Sequence, residues 1–183
     1  MSVRLYIYNT IASLLPETRL YPLKAVLLRL SGYNIARSAR IVSSVRYYGS
    51  FSLSVGGDTY IGHDVLIAGG DCTISIGNAC DLAPRVNLVA GSHEVDMNGA
   101  HTAGSGYSRD IVIEEGVWIG TGTTVLGGVR IGRKAIIAAG AVVTSDIPSL
   151  SMAAGVPARV MKTWNSKEQC WIVTGDPQNA DTV

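Results

Sequence analysis

Few side chains in this chain of 183 residues can exchange a proton, attack a carbonyl or hold a metal near neutral pH. There are three histidines, His63, His93 and His101, and three cysteines, Cys72, Cys80 and Cys170. An imidazole with an unperturbed pKa near ~6.5 is largely neutral at cytosolic pH and can take a proton from a hydroxyl. Three imidazoles could instead converge on zinc. His93 and His101 lie eight positions apart in a glycine-containing stretch, a spacing that speaks against such a centre, and no metal is expected. The cysteines are odd in number and lack the C-x-x-C spacing of common zinc and redox motifs, so a reducing, cytoplasmic setting is expected.

Composition narrows the elements that must position these groups. Hydrophobic residues make up 47% of the chain, ample for a core, while 21 glycines leave little room for long helices. Fifteen Lys and Arg stand against fourteen Asp and Glu, so there is no overall field of either sign and nucleic acid is not expected as a partner. Pro16, Glu17, Arg19, Lys24 and Arg29 interrupt the apolar N-terminal stretch well short of the ~18 residues of a membrane span. Neither a transmembrane segment nor a signal peptide is expected.

The dominant signal is a repeat of six. Ile113, Ile119, Val125, Ile131, Ile137 and Val143 recur without exception, and a second compact residue follows each of the first five by four places, at Val117, Thr123, Val129, Ala135 and Ala141. Helices repeat at three and four and alternating strands at two, so neither gives this beat. Short strands joined by tight corners do, with three hexads to a triangular coil and an aliphatic pointing inward from each. The residue after many of these aliphatics is small, as at Gly120, Gly132 and Ala138, and is expected to free the corner backbone. Ile35, Ile41, Ile61, Ile67, Ile76, Leu82 and Leu88 carry the rhythm earlier. The step of nine from Ile67 to Ile76 predicts a bulge at Gly69, Gly70 and Asp71, and the polar, glycine-rich stretch before Ile113 predicts an ejected loop at about 91–110 that carries His93.

The predicted organisation is therefore an N-terminal helical segment (1–32), a β-solenoid (33–162), and a short helix with a mobile tail (163–183). Helical spacing covers Val3 to Leu15 and Arg19 to Leu30, separated by Pro16 and ended by Gly32. Their apolar faces need the first coil, a neighbouring subunit or a membrane surface, with packing preferred and peripheral membrane contact kept open. A further short helix is predicted from Trp164 to Val173.

The motifs VWIGTGTTVLGGVRIG (117–132), IIAAGAVVTSDIP (136–148) and AAGVPARVMK (153–162) make the chain resemble the hexapeptide-repeat acyltransferases, particularly sugar O-acetyltransferases of the galactoside and maltose type. The resemblance implies a mainly β fold, a left-handed parallel β-helix, built as a homotrimer with sites in the clefts between protomers. It implies acetyl-CoA as co-substrate and a small-molecule or glycan acceptor, with direct transfer in a ternary complex. His93, in GSHEVD, matches the catalytic base. Asp96 and, less well, Glu94 are candidates to orient its ring, and Asp64 and Trp118 fall near positions that meet the acceptor. Thr121, Ala139, Thr144 and Ala154 match residues along the coenzyme arm, and Arg159 and Lys162 those reaching its phosphates. Ser145 stands where relatives often carry a lysine, with Arg133 and Lys134 as nearby cations.

Three alternatives stay open at this level: a γ-type carbonic anhydrase using the three histidines, an N-acetyltransferase acting on an amino sugar, and a non-catalytic trimeric scaffold. Among acceptors, the N-terminal helices favour a polysaccharide or glycolipid precursor.

Overall fold

The computed structural model describes residues 3–174. Short strands form three parallel sheets that the chain visits in rotation. The first face stacks Asn34–Ile35, Ser52–Val55, Thr73–Ile76, Ile111–Ile113 and Arg130–Ile131. The second begins with Arg40–Ile41, Tyr60–Ile61, Asp81–Leu82, Trp118–Ile119, Ile136–Ile137 and Ser151–Gly155, and the third holds Arg46–Gly49, Leu66–Gly69, Asn87–Val89, Thr124–Leu126 and Val142–Val143. One residue of each short strand faces inward, so like aliphatics stack into columns. Ile41, Ile61, Leu82, Ile119, Ile137 and Ala153 form one such column, each paired in register with the next and all buried. The compact second residues, Val117, Thr123, Val129, Ala135 and Ala141, are buried as well.

Glycine plays two roles, and the one expected for the residue after each aliphatic belongs elsewhere. Positive φ recurs every six residues at Gly116, Gly122, Gly128, Lys134 and Gly140, three places after the aliphatic. Gly120 and Gly132, directly after it, have ordinary φ and are needed for closeness. A Cβ at Gly132 would stand 2.4 Å from the amide nitrogen of Ser149 in the next coil. At Gly122, by contrast, a Cβ would meet nothing within 4 Å.

Helices α1 (Val3–Ser13) and α2 (Tyr21–Leu30) pack on the first coil, burying Leu5, Tyr8, Ala12, Ala25 and Leu28. Tyr8 meets Tyr47 of the third face edge-on, with ring centroids 5.4 Å apart. The turn between the helices is fastened by Lys24, whose buried Nζ donates to the carbonyls of Glu17 (2.7 Å) and Pro16 (3.2 Å). Burial pulls this ammonium below its ordinary pKa, and the charge of Glu17 opposes that shift. Ser43 Oγ donates to the same Pro16 carbonyl, so the turn is tied to the solenoid.

The helix expected from Trp164 to Val173 is absent. Ala158–Asn165 and Cys170–Val173 instead pair antiparallel and extend the second face. Two features decide this. Asn165 Oδ1 accepts from the amides of Lys167 and Glu168, closing a turn. Trp164 and Trp171 then lie directly across from each other, their rings edge-to-face at 5.4 Å. The tail from 175 onward, expected to be mobile, lies outside the described residues.

The two kinds of glycine differ in what a methyl would cost. Gly132→Ala is expected to lower unfolding stability by about 3 kcal/mol through overpacking. Gly122→Ala should cost only about 1 kcal/mol of left-handed backbone strain. Denaturant unfolding of both variants measures this, and equal losses would contradict the assignment.

Candidate active site

The corner from the third face to the first is where the prism opens. Leu82 pairs with Ile119, 37 positions on, whereas Ile119 pairs with Ile137, only 18 on. The surplus leaves the coil as a hairpin of Gly91–Val95 and Ala103–Ser108, more ordered than the loop expected at about 91–110. Its base is closed by the Arg109 amide donating to the Ala90 carbonyl at 3.0 Å. Ser108 Oγ accepts from the Gly70 amide at 2.8 Å, which ties the hairpin to the corner below it. Residues 70–72, between Leu66–Gly69 and Thr73–Ile76, occupy the place where the nine-residue step predicts extra chain.

His93 sits on the first hairpin strand opposite Gly106. The register slips just beyond it: Val95 pairs with Ala103, so a bulge falls at Gly104 and Ser105. The Gly104 carbonyl oxygen then lies 2.9 Å from His93 Nδ1. A carbonyl can only accept, so in the neutral ring Nδ1 carries the proton and donates, which leaves Nε2 with a free lone pair. The ring is exposed and lines an open cleft of about 400 Å³ shared with Gly70, Asp71, Ser92, Tyr107 and Ser108. An imidazole held in this way can take a proton at Nε2.

Asp96 has other partners. Its Oδ1 accepts from the amides of Asn98 (2.9 Å) and Gly99 (2.8 Å), capping the tip of the hairpin. The structure therefore assigns ring orientation to a backbone carbonyl, where sequence reasoning expected the Asp96 or Glu94 carboxylate. Asp71 and Tyr107 were not anticipated as cleft residues. The signal for Asp71 was the nine-residue step, and for the bulge it was glycine inside a strand, at Gly104 and Gly106.

The remaining predicted residues fall mostly on a different corner, from the second face to the third. Thr121 and Ala139 stack there in successive coils. The Gly140 amide donates to the Thr121 carbonyl at 2.9 Å, and Thr121 Oγ1 donates to Pro84 one coil below at 2.6 Å. Ala154, next to the end of Ser151–Gly155 at this corner, pairs with Arg159, and Lys162 follows on the same hairpin strand opposite Met152. Asp64 lies on this corner too, exposed, at φ +55. Thr144 follows Val142–Val143 and so shares the corner of His93. Trp118 stands on the second face, 55% exposed. None of Asp64, Trp118, Thr121, Ala139 or Ala154 lines the His93 cleft of the same chain.

Two of the three cysteines, Cys72 and Cys80, are muted by environment. Burial raises the thiol pKa of both Cys80 and Cys72, and the charges of Asp110 and Asp71 push Cys72 further. Among the described residues, no three His, Cys, Asp or Glu side chains come together as a metal site. His63 is paired with Glu17, Nδ1 to Oε2 at 3.5 Å.

Comparison with known proteins resolves the fold family. Residues 110–145 match the bacterial transferase hexapeptide (six repeats) family. Over this stretch the chain is similar to the hexapeptide-repeat transferases. Galactoside O-acetyltransferase of Escherichia coli K12 is 37% identical over 122 residues, 67% of this chain and 59% of that protein. A hexapeptide-repeat acetyltransferase from Vibrio cholerae, solved in complex with acetyl coenzyme A, superposes with a TM-score of 0.68 at 26% identity, covering 87% of this chain and 86% of that one. The polySia-specific acetyltransferase gives a TM-score of 0.55 at 27% identity, covering 76% and 69%. The chain spans 42% to 60% of the length of four curated relatives it matches.

If Asp96 caps the hairpin and does not steer the imidazole, Asp96→Asn should keep turnover within a factor of about three, since an asparagine oxygen caps equally well. A fall approaching ~10⁴, the effect of neutralising a carboxylate that fixes a catalytic tautomer, would return Asp96 to that role. Steady-state coenzyme thiol release measures the difference.

Proposed function

We propose that this chain moves an acetyl group from acetyl-CoA to a hydroxyl of a sugar, as part of a polysaccharide or glycolipid precursor, with His93 as general base. The observation that carries the reading is the Nδ1 contact to the Gly104 carbonyl, which leaves Nε2 as the acceptor of a ring that lines an open cleft. The acetyl coenzyme A in the Vibrio cholerae structure and the O-acetyltransferase names of the sugar-modifying relatives support the donor and the acceptor class. The polySia-specific relative supports a glycan acceptor.

In this mechanism Nε2 takes the hydroxyl proton as the oxygen attacks the thioester carbonyl carbon. The tetrahedral intermediate collapses with cleavage of the carbon–sulfur bond, and the imidazolium returns its proton to the departing thiolate. No covalent enzyme intermediate forms, consistent with the raised thiol pKa of Cys72 and Cys80. Thr121, Ala139 and Ala154 offer backbone groups along one corner for the coenzyme arm, Thr144 approaches it from the corner that carries His93, and Arg159 and Lys162 meet the phosphates as cations.

Because the His93 cleft and the Thr121–Ala139–Ala154 row lie on different corners, a working site needs two chains. We assign the coil a left hand and the assembly three-fold symmetry, so that the His93 hairpin of one protomer faces the coenzyme row of its neighbour, with Asp64 and Trp118 bordering the acceptor. Three free thiols suit a reducing, cytoplasmic compartment.

His93→Ala is expected to lower turnover by about 10² to 10⁴ while leaving the circular dichroism unchanged. Retention of more than about a tenth of wild-type turnover would overturn the assignment. The assay is thiol release from acetyl-CoA with a panel of free sugars, nucleotide sugars and serine.

A further inference from the structure

We infer that the N-terminal helical hairpin is a membrane-docking surface for anionic lipid, which holds the solenoid against a bilayer. The inner faces of α1 and α2 are satisfied by the first coil, yet their outer faces are apolar as well. Val3 is 72% exposed, Leu14 82% and Leu30 76%, and Tyr6, Ile7, Leu20, Leu23 and Val26 are also open among the described residues. Between the helices, Ile7, Ile11, Leu27 and Leu30 line a groove of about 210 Å³ with Arg4 at its edge. A short helix with apolar residues on both faces needs cover on both. No helix among the described residues is long and apolar enough to cross a membrane, so these would lie in its surface.

Charge identifies the occupant. The first 46 residues carry seven Lys and Arg but only one acid, Glu17, whereas the remaining 137 carry eight against thirteen. The near-neutral total conceals this polarity. Lys24 is buried and Arg46 donates to the Ser43 and Val45 carbonyls, but Arg4, Arg19, Arg37 and Arg40 remain exposed around the helices. Burying this face against its own copy would set those cations against their images, with Glu17 already engaged by His63 and the Ser44 amide. Lipid phosphates supply the missing negative charge and acyl chains the missing apolar contact, each cation near such a surface adding to the attraction. The acidic majority of the solenoid is repelled, which orients the hairpin toward the bilayer.

The test is flotation of the full chain with phosphatidylcholine vesicles, with and without about one-third phosphatidylglycerol. Binding should be about tenfold stronger to the anionic vesicles and should weaken with salt. Leu14→Asp with Leu30→Asp, at two highly exposed positions, should abolish flotation without changing circular dichroism or oligomeric state. Arg4→Glu with Arg19→Glu should lose the preference for phosphatidylglycerol. Equal or absent flotation with both lipid compositions, wild-type flotation of the variants, or dissociation of the oligomer by the leucine pair would each overturn the inference. The readout is independent of acetyl transfer, so a failed His93 assignment leaves it standing.

Discussion

The register between stacked coils is the constraint on which the molecule depends. Ile119 lies over Leu82 and under Ile137, and each ladder of this kind fixes its neighbours through backbone hydrogen bonds at a strand spacing of about 4.8 Å. At that distance there is no room for a side chain where two corners pass, which is why Gly120 and Gly132 lie against the backbone of the next coil. Extra chain can leave only at a corner. The additional residues at 70–72 and the hairpin between Ala90 and Arg109 both do so, on the same corner, and the first supports the second through the Gly70 amide and Ser108 Oγ.

The geometry of the cleft follows from this rule. A stiff coil cannot wrap around a substrate, so the cleft must be made by what the coil ejects. The bulge at Gly104 gives His93 its tautomer through a backbone carbonyl, and the ring lines the same cleft as Asp71 and Tyr107. The same stiffness keeps the row through Thr121, Ala139 and Ala154 on a separate corner. In our reading the pocket arises where two prisms meet, each supplying the part that the other cannot place.

Much of the solenoid could be read from the chain because its signal is strictly periodic: the inward aliphatics, the compact second residue and the extra residues near Asp71 all follow from counting. His93 stood out through its motif. The terminal segment misled because Trp164 to Val173 has apolar spacing that a helix could also use, and its outcome depends on the Asn165 turn and the pairing of Trp164 with Trp171, both tertiary facts. The carbonyl contact to His93 escaped the sequence for a related reason. Carboxylates are visible in a sequence, whereas a carbonyl turned by a bulge is not. The split of charge between the first 46 residues and the rest was legible throughout but hidden by the sum.

The central claim, that a site is shared between chains, is tested most directly by subunit mixing. His93→Ala and Arg159→Glu chains, each of low activity as a homo-oligomer at acetyl-CoA well below saturation, are refolded or co-expressed together. The account predicts that the mixture recovers roughly a quarter of wild-type acetyl transfer, because random assembly of a cyclic oligomer pairs an intact hairpin with an intact neighbouring corner at that frequency. A mixture as inactive as its components would place both halves of the site on one chain and contradict the account.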